Sequence, residues 1–90
     1  MKRILKYEIK TTSEEVTTIA LNQDSQILKI DIQHDKVQMW VIIDDNKPLI
    51  KTDFVIKMTG QYIGDNLLPV GTVLLHNGFY ILHIFKIMAG

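Results

Sequence analysis

The sequence contains no cysteine, and only two prolines and five glycines in 90 residues. The absence of cysteine excludes disulfide bridges, thiolate metal sites and a thiol nucleophile, and it fits a reducing compartment. Ten basic and ten acidic side chains cancel, so the chain lacks the broad positive field with which proteins hold duplex nucleic acid. We therefore expect no binding of duplex nucleic acid, and a fold stabilised by packing or self-association.

Long apolar runs are also missing. The most apolar stretch, 79–85, contains His83 and ends before Lys86, far short of the roughly 20 residues of a membrane-spanning helix. Charged residues interrupt the N-terminal segment, where a secretory signal peptide needs an apolar core of about 7–15 residues. We expect one domain over residues 1–90, with no membrane span and no secretion by that route.

The chain is instead rich in apolar residues that alternate with polar ones. Hydrophobic residues make up 47% of the sequence, and no window keeps the spacing of an amphipathic helix for more than a turn. Residues 16–21 favour a strand because they are mostly β-branched or aliphatic, although Ser13-Glu14-Glu15 is also compatible with the start of a short helix. About seven alternating segments predict an all-β fold, a small antiparallel sandwich or partly open barrel.

A tight turn centred on residues 34 and 35 predicts the first hairpin. Its register sets Leu28 opposite Val41 on an apolar face, and Lys29 opposite Trp40 on a mixed one. The second pair is compatible with a cation–π contact that covers the indole ring. Alternatively, Trp40 is a platform on which a nucleotide base stacks.

The Asn-Gly pair at residues 77 and 78 is the strongest hairpin signal, because both residue types tolerate the positive φ angles of a type I′ turn. This turn sets Thr72 opposite His83 and Val70 opposite Phe85, after an irregular connection that spans residues 60–69. The hairpin is apolar on both faces, which favours either a central position or contact with a second copy of the chain. We therefore expect an oligomer.

Residues that could carry catalysis are scattered along the chain. His34 lies in a separate turn from His76 and His83, so we expect no shared metal site. Ser13 and Ser25 lie in polar loop sequence without a motif, and adjacent carboxylates at 44–45 are typical of a solvated turn. The glycine motifs of phosphate-binding loops are absent. The sequence predicts a binding protein rather than an enzyme, with no metal and no cofactor.

One segment has the groups that hold small ligands. Thr59, Gly60, Gln61 and Tyr62 offer a hydroxyl, an approachable backbone, an amide and an aromatic ring in succession. From chemistry alone, a strand that ends at a turn glycine is the favoured interpretation. His83 similarly either hydrogen-bonds to a threonine across its hairpin, as buried histidines do, or lines a pocket.

Short motifs spread over nearly the whole chain resemble those of a known family. In order, they are Met1-Lys2 with an early Tyr7 strand, Met39-Trp40-Val41, Phe54-Val55-Ile56 leading to Thr59-Gly60-Gln61, Val70-Gly71-Thr72-Val73, and Tyr80-Ile81-Leu82-His83-Ile84-Phe85. The family comprises short phage-encoded β proteins described as domains of unknown function, and we expect it to include anti-CBASS sponges. The resemblance implies a homo-oligomer, a dimer or tetramer, in the cytoplasm of the host bacterium. It implies capture, without hydrolysis, of a cyclic dinucleotide immune signal such as 3′3′-cGAMP.

A cyclic dinucleotide presents two flat bases and two phosphates, so its site needs aromatic faces, phosphate donors and polar partners for base edges. As a hypothesis, we match these requirements to residues of this chain: Arg3, Trp40, Lys57, Thr59, Gly60, Gln61, Tyr62, Asn66, Thr72 and His83. Tyr80 and Lys51 are further candidates for stacking and for phosphate binding. Two other hypotheses stay open: an inhibitor or adaptor that meets a host protein through its sheet edges, and a small hydrolase that acts on the same signals.

Overall fold

The computed structural model describes residues 1–88. It contains seven β-strands, β1 Lys2–Ile9, β2 Thr17–Asn22, β3 Gln26–Gln33, β4 Lys36–Asp44, β5 Leu49–Met58, β6 Leu67–Leu75 and β7 Tyr80–Ile87. They form a three-stranded sheet in the order β1-β4-β3 and a four-stranded sheet in the order β2-β5-β7-β6. Every paired strand is antiparallel to its neighbour, and residues 1–88 include no helix. The predicted all-β fold of seven antiparallel strands is confirmed.

The alternation of apolar and polar residues explains how the two sheets pack. Successive side chains of a strand point to opposite faces, so each sheet turns one apolar face inward. The core between the sheets is formed by the inward side chains Ile9, Ile19, Leu21, Val37, Met39, Val41, Ile43, Phe54, Ile56, Val73, Leu75, Leu82 and Ile84. Within residues 1–88 no helix has the length and apolar character that crossing a membrane would require.

Both predicted hairpin turns are present. His34 and Asp35 have φ angles of 53° and 62°, and Asn77 and Gly78 have φ angles of 56° and 86°; His76 before them also has a positive φ, of 54°, so the second connection comprises residues 76–79. Positive φ at both central residues is the requirement of a type I′ turn, whose twist matches that of the flanking strands. The turns therefore fix how β3 pairs with β4 and how β6 pairs with β7.

The segment that was compatible with a strand or a short helix is a strand. Residues 12–14 form a turn and β2 begins at Thr17, where the Thr17 side chain accepts a hydrogen bond from the Lys10 amide at 2.9 Å. This bond ties the end of β1 to the start of β2. The local N-cap signal at Ser13 is overridden because residues 17–22 pair along the whole of their length with β5.

One predicted pair in the first hairpin is wrong. Ile27, not Leu28, lies opposite Val41, because a β-bulge shifts the register of β3 between Ile27 and Lys29. The extra residue of a bulge has no partner across the ladder. Leu28 is that residue, and its side chain is exposed.

A second bulge overturns a predicted pair in the other hairpin. Pro69, not Val70, lies opposite Phe85, because the register shifts between Pro69 and Gly71. The predicted irregular connection over 60–69 is also too long, since β6 already begins at Leu67. Proline is tolerated here because β6 is an edge strand and proline occurs at edges and bulges of sheets.

Candidate functional site

Four of the predicted ligand-binding residues meet on the outer face of the four-stranded sheet. The strand register sets Lys57 of β5 beside His83 of β7, and His83 beside Thr72 of β6. Thr59 follows β5 directly and contacts the same histidine. We call Lys57, Thr59, Thr72 and His83 the outer-face cluster, since it lies on the side of the sheet turned away from the core.

The imidazole of His83 joins two threonines. Its Nδ1 atom lies 2.9 Å from the Thr72 hydroxyl and its Nε2 atom lies 2.8 Å from the Thr59 hydroxyl. The predicted contact between Thr72 and His83 is confirmed, and the one with Thr59 was not anticipated. In a neutral imidazole one ring nitrogen donates and the other accepts, so one hydroxyl accepts from the ring and the other donates to it. Both threonines are exposed and can turn to a ligand.

Lys57 is held by an acidic residue from the loop between β1 and β2. Its Nζ atom lies 2.7 and 2.8 Å from the two carboxylate oxygens of Glu14, and only 14% of the Lys57 side chain is exposed. Glu14 is fixed in turn by its positive φ of 70° and by its amide, which donates to the Ile56 carbonyl at 3.2 Å. The Glu14 carboxylate thus neutralises the charge of the Lys57 ammonium group.

The turn after β5 places the remaining polar groups. The Gln61 amide donates to the Met58 carbonyl at 3.1 Å, and Gly60 has a φ of 95°, as the third position of a type II turn requires. The side-chain oxygen of Gln61 accepts from the Met58 amide at 2.6 Å and from the Ser13 hydroxyl at 3.0 Å. Because that oxygen is engaged, the side-chain nitrogen of Gln61 is the group that remains for a ligand.

The connection between β5 and β6, residues 59–66, crosses the sheet. β5 and β6 run parallel to each other on either side of β7, and the core occupies the inner face, so this crossover segment must pass over the outer face of β7. Val55 and Phe85 on that face are only 5% and 9% exposed, as expected for side chains beneath a covering segment. The Tyr62 ring projects from the segment with 97% of its surface exposed.

Three predicted site residues lie away from the outer-face cluster. Trp40 is on the outer face of the three-stranded sheet, opposite Lys6 and Lys29, and therefore on the other side of the molecule. Lys29 forms an ion pair with Asp31 at 3.3 Å. Arg3 is at the end of β1 in the same sheet. Asn66 lies at the far end of the crossover segment, where its carbonyl accepts from the Met88 amide at 2.7 Å.

Two adjacent hollows lie at the end of the sheet where the crossover segment begins. One, of about 220 Å³, is lined by Met58, Thr59, Phe79, Tyr80 and Ile81. The other, of about 300 Å³, is lined mainly by apolar side chains and shares Met58 and Tyr80 with the first. The Phe79 and Tyr80 rings meet edge to face with centroids 5.0 Å apart. Tyr80 lies opposite the buried Leu75, so its ring is on the inward side of the sheet at this end and not on the face of the outer-face cluster.

Several residues that contact this site were not predicted from the sequence. Glu14, Ser13 and Met58 were not predicted to take part, although Glu14 contacts Lys57 across 43 positions of sequence and Ser13 contacts Gln61 across 48. No local pattern signals such contacts. The polar run around Ser13 was the one available signal, and it indicated only a loop.

Two carboxyl groups in strands of the three-stranded sheet have lowered pKa values. The Ile32 amide, which donates to Asp31 at 2.8 Å, is the main cause that lowers the pKa of that carboxyl, with Lys29 adding to it. The Asn46 amide, which donates to Asp44 at 3.1 Å, is the main cause that lowers the pKa of Asp44, and the Met1 amino group adds to it. These carboxylates stabilise a hairpin strand and a loop.

The fold and this geometry define a class: a small two-sheet β protein with a polar cluster and exposed aromatic rings at one end of its larger sheet. Within residues 1–88 no group of three or more histidine and acidic side chains is placed to hold a metal ion. The chain belongs to the family described as Domain of unknown function (DUF7352), whose sequence model matches residues 1–89. No curated protein and no solved structure matches the chain.

Proposed function

We propose that this protein binds a cyclic dinucleotide at the outer-face cluster and sequesters it without hydrolysis. The observation that carries the proposal is the convergence of Lys57, Thr59, Thr72 and His83 on one face. An ammonium group and two hydroxyls suit phosphate oxygens, and charge-assisted hydrogen bonds to phosphate are among the strongest that side chains make.

A base of the ligand would stack on an aromatic ring beside the cluster. Tyr62 is almost fully exposed, so its ring can accept a flat partner. Base–aromatic stacking contributes about 1–3 kcal/mol per base. The free side-chain nitrogen of Gln61 can donate to an acceptor on a base edge, such as guanine O6.

The biological role in this proposal is that of a phage-encoded anti-CBASS sponge in the cytoplasm of the host bacterium. It rests on the resemblance described above. By keeping 3′3′-cGAMP or a related signal bound, the protein would prevent activation of the CBASS effector. A sponge needs affinity and copy number, and no catalytic group.

Self-association is part of the same proposal. A ligand with two-fold symmetry suits an interface between two copies, where each copy contributes one set of groups. Leu74 and Ile81 flank the outer-face cluster and are 57% and 41% exposed, which provides apolar surface for such a contact. A dimer or tetramer would place two outer-face clusters near one ligand.

The strand arrangement limits an adaptor that adds a strand to its partner to the edges of β1 and β2, whose ladders are uninterrupted. Four strands lie at sheet edges, β1, β2, β3 and β6. Of these, β3 is interrupted by the bulge at Leu28 and β6 by Pro69 and its neighbouring bulge. Bulges and proline are the devices that protect sheet edges from pairing with other chains.

The test is a thermal-shift screen of the purified protein against cyclic di- and trinucleotides, followed by denaturation and chromatography of the ligand. We expect micromolar 3′3′-cGAMP to raise the melting temperature, and the ligand to be recovered intact. An unshifted melting curve with every cyclic nucleotide would refute the proposal. Turnover of the nucleotide would replace it with the hydrolase hypothesis.

A further inference from the structure

A separate cavity of about 250 Å³ lies between the two sheets, near the turn that joins β2 to β3. We call it the end cleft. Its apolar wall is formed by Leu21, Ile27, Ile50 and Phe54, and Lys86 also lines it. Phe54 and Lys86 pair across β5 and β7 and face inward, whereas His83 faces outward. The end cleft and the outer-face cluster therefore lie on opposite faces of the same sheet.

Lys86 contributes a positive charge to the end cleft. Within residues 1–88 its ammonium group forms no ion pair. The other charged residue that lines the cleft, Asp24, is paired with Lys47 at 3.7 Å. A cation beside hydrocarbon walls favours a ligand with an anionic head and an apolar body, since hydrogen bonds to charged groups are stronger than neutral ones.

The two hydroxyl groups that line the cleft are engaged within the protein. The Thr52 hydroxyl donates to the Ile50 carbonyl at 3.2 Å, and the Ser25 hydroxyl donates to the Asn22 carbonyl. A ligand therefore gains little from these hydroxyls and depends on Lys86 and on burial of its hydrocarbon.

The size of the cleft limits the apolar body. A cavity of roughly 150 Å³ is enough to bind benzene, so the 250 Å³ of the end cleft accommodates one aromatic ring or a short alkyl chain together with a carboxylate. A nucleotide is too large for this volume. The cleft and the outer-face cluster consequently select different ligands.

We propose that the end cleft binds a small monocarboxylate, with the carboxylate on the Lys86 ammonium group and the hydrocarbon chain over the Phe54 ring. The end cleft and the outer-face cluster share no residue. The affinity rises with chain length until the cleft is full, by about fourfold for each methylene group that becomes buried.

The experiment is a titration of the ¹⁵N-labelled protein with sodium butanoate, sodium hexanoate and hexan-1-ol, followed by NMR. We expect hexanoate to shift the amide signals of Ile27, Thr52 and Lys86 at millimolar concentration, and to bind more tightly than butanoate. Hexan-1-ol has the same chain without the charge, and we expect it to bind about tenfold or more weakly than hexanoate.

Matched variants isolate the role of the charge. Lys86→Met keeps the aliphatic stem, and we expect it to weaken hexanoate binding about tenfold or more while leaving hexan-1-ol unchanged. Lys86→Arg should retain binding, and Lys36→Met, which removes an exposed lysine from the other sheet, should have no effect. Hexanoate that causes no shifts, or that binds Lys86→Met as tightly as the wild type, would overturn the proposal. Wild-type protein that binds hexan-1-ol as tightly as hexanoate would also do so.

Discussion

Replacement of Glu14 by glutamine is expected to weaken the fold and to strengthen ligand binding. The Glu14 carboxylate holds the Lys57 ammonium group through both of its oxygens, so a phosphate must displace it to reach the lysine. Glutamine has nearly the same shape and lacks the charge. The substitution therefore removes the competitor of the ligand and leaves Lys57 in place.

The two effects can be estimated from the geometry. Exposed ion pairs contribute about 0.2–1 kcal/mol to stability, and we expect the upper part of this range because the Lys57 side chain is only 14% exposed. For a domain of this size, 1 kcal/mol lowers the melting temperature by about 4–8 °C. A phosphate that reaches Lys57 must break this pair, so its removal should improve ligand affinity by at most the free energy of the pair, about fivefold.

Two measurements on the same protein check this prediction. Thermal unfolding without ligand should show the loss of stability, and calorimetric titration with 3′3′-cGAMP should show the gain in affinity. Glu8→Gln is the matched control, since Glu8 pairs with Lys36 at 3.5 Å on the other sheet. We expect that control to leave the affinity unchanged. If Glu14→Gln binds the ligand no better than wild type, Lys57 does not bind phosphate in the way we describe.

Two further predictions concern stability. Gly60→Ala should lower the free energy of unfolding by about 1–2 kcal/mol in urea titrations, because a φ of 95° is strained for any residue with a side chain. The added methyl group meets no neighbouring atom, so backbone strain is the only cost. Gly64→Ala should have a smaller effect, since its methyl group would meet only the movable end of the Asn66 side chain; equal effects would contradict the strain argument. Asp44→Asn should destabilise the protein at pH 6 and much less at pH 3. The pKa of Asp44 is lowered from 3.8 on folding, so its carboxylate stabilises the fold above that pH, and this contribution is lost as the pH falls through the folded value. An equal loss at both pH values would show that the charge is unimportant.

Turn chemistry explains why so much of the fold was predictable. Residues 34–35 and the Asn-Gly pair at 77–78 adopt the positive φ angles that their turns require, and each turn fixes the first pairs of its hairpin. The errors begin at the bulges beside Leu28 and Val70. A bulge inserts one extra residue into a strand. Ile27 and Leu28 are both apolar, so the sequence does not show which of the two faces the core.

The candidate site was predictable where it lies within one hairpin. Thr72 and His83 face each other across β6 and β7, and the register alone brought them together. The partner of Lys57, by contrast, comes from a loop 43 positions away. Trp40 was grouped with these residues by ligand chemistry alone. Its place on the other sheet follows from which strands share a sheet, and the alternation pattern does not contain that information.

The central claim is that the outer-face cluster binds a cyclic dinucleotide, and the most direct test is calorimetric titration of the wild type, Lys57→Met and Lys36→Met with 3′3′-cGAMP. Each variant removes a lysine that pairs with one glutamate. We predict micromolar or tighter binding by the wild type and by Lys36→Met, and affinity reduced by about tenfold or more in Lys57→Met. Absence of binding by the wild type, or equal affinity of Lys57→Met, would contradict the account.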